Sequence, residues 1–119
     1  MLIETWRQVF RFKAIAVAQV ILSATPVVPI TLTGNYDTSG HAMSVAVSGN
    51  YAYVADRFDG LDIIDIWDPS SPRLEGNYDT SGQAWGVAVS GNYAYVADYN
   101  DGLDIIDISD PSSPNLEGN

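Results

Sequence analysis

The chain contains no cysteine, which excludes disulfides, thiolate nucleophiles and thiolate metal sites. That absence suits an exported protein, although many cytosolic proteins share it. It has one histidine, His41, too few for a multi-histidine metal centre. Positive charge is scarce: five Lys and Arg stand against 15 Asp and Glu, a net charge of −10. Arg7, Arg11 and Lys13 all precede residue 14, and from Leu32 onward only Arg57 and Arg73 face fourteen acids. A surface this acidic repels phosphate, so neither nucleic acid nor an anionic membrane is an expected partner. No glycine-rich phosphate loop leads from a strand into a helix, and no serine sits in a nucleophile elbow. What is present belongs to a folded protein. At 46% hydrophobic and 11% aromatic residues, the chain is too apolar for disorder, and 119 residues suit one small domain.

The apolar run Ala14–Ala24, "AIAVAQVILSA", comes after the three N-terminal basic residues. Its eleven residues fall short of the about 20 that a stable membrane span needs. Basic flank, short apolar stretch and small terminal residues read as an export signal within residues 1–29. That places the protein outside the cell or at its surface. Glu4, Trp6, Phe10 and Phe12 depart from the signal pattern, as does Leu22. The alternative is an N-terminal strand or helix packed on the rest of the chain.

Beyond this segment one unit is written twice. Leu32–Arg73 aligns without a gap on Leu74–Asn115, a period of 42 residues. Eight positions differ: Thr33/Glu75, His41/Gln83, Met43/Trp85, Ser44/Gly86, Arg57/Tyr99, Phe58/Asn100, Trp67/Ser109 and Arg73/Asn115. A third copy opens with "LEGN" at Leu116. Each unit predicts four short strands. "SVAVSG" meets "YAYVAD" through Gly49-Asn50, a two-residue hairpin turn. "RFDG" turns into "LDIIDIW", and "DPSSP" interrupts pairing because proline cannot donate to a ladder. "RLEGNYDT" supplies the fourth strand. Four antiparallel strands in about 40 residues mark an all-β fold built of β-propeller blades. The predicted layout is an outer strand over 30–38, blade 1 over about 41–80, and blade 2, incomplete, over about 83–119.

"GLDIIDIWDPSSP" and "GLDIIDISDPSSP" resemble the LVIVD repeat. Leu61, Ile63, Ile64 and Asp65 stand at four of the five positions that name it, whereas Asp62, and Asp104 in the second copy, stand where the name has valine. "VAVSGNYAYVAD" is similar to the first two strands of that family. The resemblance runs from about Leu32 to Asn119. It implies a β-propeller, often in exported or cell-surface proteins, with no shared catalytic activity.

Such a blade must be apolar on both sides. In the third strand Leu61 and Ile63 point one way, Ile64 and Ile66 the other. Two blades bury one interface and leave two outer faces that need cover, from further blades of the same chain or from other copies of it. The chain is therefore expected either to open a longer repeat protein or to be a protomer of a ring, three copies giving six blades. In the ring, the leading strand would clasp the next copy.

"DYNDGLDIID" (Asp98–Asp107) raises the question of calcium. Asp98 and Asn100 begin an alternating ligand pattern, but Asp101 and Gly102 come one residue early, and Ser109 stands where the closing glutamate belongs. In the first copy Phe58 replaces Asn100. A short loop ending in Asp-Gly between strands reads as a hairpin, with Gly60 and Gly102 as structural turn glycines. No cofactor is expected. Asp65 and Asp107 read as structural carboxylates that accept backbone N–H bonds from the loop after them. The innermost strands carry no ionisable group, and His41 becomes Gln83 in the second copy, so catalysis is not expected. The alternative is a propeller enzyme or calcium-dependent domain whose active residues lie in blades beyond Asn119.

Five of the eight differences fall on the connections that share one rim of a blade. His41, Met43, Arg57 and Phe58 in the first copy, and Gln83, Trp85, Tyr99 and Asn100 in the second, form a candidate partner-binding rim. Tryptophan, tyrosine and arginine are the side chains that anchor interfaces. The expected function is a non-catalytic binding or structural module presenting this rim to a protein or glycan.

Overall fold

The computed structural model describes residues 28–119, so the expected export signal, apart from its last two residues, lies outside the described residues. Eight strands succeed one another: β1 (Ser44–Ser48), β2 (Tyr51–Asp56), β3 (Gly60–Asp65), β4 (Arg73–Tyr78), β5 (Ala84–Ser90), β6 (Tyr93–Asp98), β7 (Gly102–Asp107) and β8 (Asn115–Gly118). They form two four-stranded sheets of order β1-β2-β3-β4 and β5-β6-β7-β8, antiparallel throughout. Among the described residues there is no helix. The two sheets are propeller-type blades in the predicted order.

Strand content explains the ladders. Aromatic and β-branched side chains fill β2 and β3, where extended backbone leaves them room. Gly49 and Gly91, at φ 58° and 57°, open the two β1–β2-type hairpins. The third strand ends at Asp65 rather than Trp67: the Ile66 amide still donates to the Asn50 carbonyl across the hairpin (2.9 Å), but the Trp67 amide turns back onto the Asp65 carboxylate (2.9 Å). Between β3 and β4 the register slips: Ile63 faces Gly76 while Ile64 faces Leu74, leaving Glu75 as an extra residue. The same slip recurs between Ile105 and Ile106. This bulge bends the outer strand, and Gly76 then lies so close to the Pro111 carbonyl that a Cβ there would overlap it.

The predicted outer strand over 30–38 is not a strand; residues 28–38 carry no ladder. The reason is that extended chain becomes a strand only beside a partner edge. Residues 34–38 nevertheless keep the geometry of their repeat. Gly34 approaches Pro69 and Pro72 as Gly76 approaches Pro111 and Pro114, 42 residues on.

The core lies between the blades. One face of the first, from Tyr53, Ala55, Leu61 and Ile63, meets the opposite face of the second, from Ala84, Ala94, Val96, Ile106 and Ile108. Tyr51, Val87 and Val89 close its edges. Leu61, Ile63, Val96 and Ile106 are fully buried, and each such side chain contributes roughly 1.5–3 kcal/mol.

The paired turn glycines offer a test of packing against backbone strain. Gly60 and Gly102 have φ of 85° and 92°, a region that costs other residues about 1–2 kcal/mol. Around Gly102 nothing lies within 4 Å of a built Cβ, whereas at Gly60 a Cβ would overlap the Tyr78 carbonyl and the Thr80 amide. Gly102→Ala is expected to lower unfolding free energy by about 1 kcal/mol and Gly60→Ala by about 3 kcal/mol or more. Denaturant titration of the two variants checks the order.

Candidate interaction rim

The β2–β3 turn and the connection from β4 to β5 emerge on the same rim. There Arg57 adopts φ 28°, and its carbonyl accepts a bond from the Ala84 amide of the second blade (2.8 Å). The blades are thus stitched by main chain at the rim. On the second blade, Ala84 pairs with Asp98 and Gly86 with Ala97, so Trp85 is the extra residue of a bulge. A bulge turns its unpaired residue out of the ladder. Ala84 is fully buried while its neighbour Trp85 is 45% exposed.

The turned-out Trp85 stacks on Tyr99, ring centroids 5.7 Å apart and planes inclined by 32°. The Arg57 guanidinium lies 4.6 Å from the Phe58 centroid and 5.9 Å from Trp85. Gln83 fixes it, accepting the Arg57 Nε–H at its Oε1 (3.0 Å), and the Gln83 carbonyl accepts the Tyr99 amide (2.8 Å). Five of the eight predicted rim residues, Arg57, Phe58, Gln83, Trp85 and Tyr99, therefore form one cluster drawn from both blades. His41, Met43 and Asn100 are exposed and take no part in these contacts. The bulge was hidden in the sequence, since the two copies align without a gap.

Beneath the cluster runs a repeated set of carboxylates. Asp56 and Asp98 are buried, and each accepts a backbone amide from the connection preceding its blade, Gly40 at 3.0 Å and Gly82 at 2.9 Å. Asp59 accepts the Ser39 hydroxyl (2.5 Å), and Asp101 accepts that of Ser81. "DYNDG" is a tight turn closed by the Asp101 amide on the Asp98 carbonyl (3.0 Å), and its acids face the connection between blades. Among the described residues no three acidic or histidine side chains converge as a metal-binding group.

On the opposite rim, Asp65 accepts the Trp67 amide (2.9 Å) and pairs with Arg73 (3.2 Å), while Asp107 accepts the Ser109 amide (2.8 Å). These bonds hold both carboxyls below the usual carboxylate range, the backbone amide being the larger cause in each. Trp67, 76% exposed, flanks a shallow cavity of about 250 Å³ with Asp65, Asp68, Ser71 and Arg73. It is a second exposed tryptophan, on the rim that the divergence of the copies did not single out. Trp67/Ser109 and Arg73/Asn115 were the signal there.

The sheet order, the four-stranded repeat and the inter-blade core define a β-propeller repeat protein. Residues 39–80 and 81–119 match the LVIVD repeat, and the chain belongs to that family. Comparison with curated proteins returned no match. Among the described residues, no helix is long and apolar enough to cross a membrane.

Asp62 separates burial from pairing. Burial pushes its carboxyl above the usual range, reinforced by Asp56 and Asp59 and only partly offset by the Asn77 amide, which donates to it at 2.7 Å. A raised folded-state pKa stabilises the fold below the unfolded value and loses that contribution as pH rises through the folded one. Asp62→Asn, still an acceptor for Asn77, is therefore expected to melt higher than the parent at pH 7. Its advantage should shrink toward zero as pH falls to about 4. Thermal melts across that interval measure it.

Proposed function

We propose that this protein is a non-catalytic binding module whose Trp85 rim meets a protein or glycan partner. The single observation that carries this reading is the cluster of Arg57, Phe58, Trp85 and Tyr99, held partly exposed across two blades by Gln83 and the Arg57–Ala84 bond. The aromatic faces need no reorganisation to receive a sugar ring or an apolar side chain, so little conformational freedom is lost on binding. The guanidinium between them adds directional donors for a hydroxyl or carboxylate. The surrounding acidity disfavours nucleic acid and anionic lipid.

The basic residues Arg7, Arg11 and Lys13 ahead of the Ala14–Ala24 run support export, and the setting is the cell exterior. There a rim that recognises other macromolecules or glycans by shape and stacking can act without a cofactor.

The test is a binding screen of the 119-residue chain against immobilised polysaccharides and surface proteins, followed by substitution. Trp85→Ala and Tyr99→Ala are each expected to weaken capture of a ligand found in the screen about 30-fold, as loss of an anchoring aromatic does. Trp67→Ala, on the other rim, should leave it unchanged. Equal capture by all three variants overturns the assignment of the rim.

A further inference from the structure

The inter-blade interface occurs once in the structure, yet both of its halves occur twice. On the first blade, Tyr51, Tyr53, Ala55, Leu61 and Ile63 are seated against the second. Their counterparts 42 residues on, Tyr93, Tyr95, Ala97, Leu103 and Ile105, are the same residue types and form the outer face of the second blade. There Tyr93 is 36% and Leu103 50% exposed, whereas Leu61 is fully buried. The other half repeats in the opposite sense. Val87, Val89, Ala94, Val96, Ile106 and Ile108 receive the first blade, and Val45, Val47, Ala52, Val54, Ile64 and Ile66 repeat them on the first blade's own outer face. That face is an apolar groove of about 660 Å³, with Val54 and Ile64 among its lining and residues 34–38 along it. Val45 and Val47 are 61% and 63% exposed, while Val54 and Ile64 at the floor of the groove are buried.

We infer that the outer face of the second blade docks into this groove on a second copy of the chain, reproducing between molecules the contact seen within one. The occupant is specified residue by residue, because the surface that fits each open face is the one that already covers its counterpart. No charged side chain of either sheet has to be desolvated beyond those the existing interface already buries, Asp104 being the counterpart of Asp62. The contact is heterologous: each copy offers one face and accepts the other, so it propagates from molecule to molecule until a ring closes or a filament grows.

Residues 34–38 define how the incoming blade is completed. Gly34 rests against Pro69 and Pro72 as Gly76 rests against Pro111 and Pro114, which is the place of an outer strand belonging to a preceding blade. In a docked pair the receiving chain's residues 34–38 therefore lie beside the incoming blade, where an outer strand belongs.

Two single substitutions test the inference. Leu103→Asp blocks the outgoing face and Val45→Asp the receiving groove; both positions are exposed, and far-UV circular dichroism verifies that each variant keeps its sheets. Sedimentation of the parent chain across about 1–200 µM is expected to show mass rising from 12.8 kDa to multiples of it. Each variant alone should associate at least about tenfold more weakly. An equimolar mixture should form a 1:1 dimer and nothing larger, since one intact face of each kind remains. A parent chain that stays at 12.8 kDa throughout overturns the inference, as does a self-associating parent whose mixed variants do not pair. If either substitution unfolds the chain, the parent's concentration dependence still decides. Both outcomes stand apart from Trp85 and Tyr99, which lie on the rim and not on either face.

Discussion

A sheet with two apolar faces cannot be satisfied by folding on itself. Everything in this molecule depends on seating one side of a blade on the opposite side of the next. Leu61 and Ile63 are fully buried only because Ala94, Val96 and Ile106 stand over them. The repeat supplies both surfaces in one unit of 42 residues, so the rule that builds the first interface is available again at each end. Stability in such an array is a sum of nearest-neighbour terms rather than the property of a closed core.

Apolar contact alone does not fix how far one blade slides along another. That is settled by polar bonds at the rim. The Arg57 carbonyl of the first blade holds the Ala84 amide of the second, while within each repeat Asp56 and Asp98 reach back 16 residues to the amides of Gly40 and Gly82. A carboxylate on a backbone amide is a strong bond when water is excluded, and here it determines where each new blade starts. The same anchoring sets the height at which Trp85, Tyr99 and Arg57 meet. The rim cluster of Arg57, Trp85 and Tyr99 is thus a by-product of the register between blades.

Much of this was legible in the sequence because the strand alternation and the 42-residue period are both visible in it. Alternation separated Leu61 and Ile63 from Ile64 and Ile66, and the Gly-Asn and Asp-Gly pairs marked the hairpins. Divergence between copies picked out Arg57, Phe58, Gln83, Trp85 and Tyr99, although not that they come together from two blades. The failures were long-range. Residues 30–38 read as a strand, yet a strand needs an edge beside it. The reading of Asp98 weighed only its neighbours in the loop, while its partner, Gly82, lies in the preceding connection. The bulge at Trp85 changes pairing without changing spacing, so no gap betrays it.

The near-identity of the two sheets has a consequence for how the chain reaches this arrangement. With only eight of 42 aligned positions differing, β2 is as good a neighbour for β7 as for β3, and a growing polypeptide can close the wrong hairpin partners at little energetic penalty. Short loops disfavour such crossings kinetically, since Asp56 and Gly60 are only four residues apart and loop closure is fastest at that range.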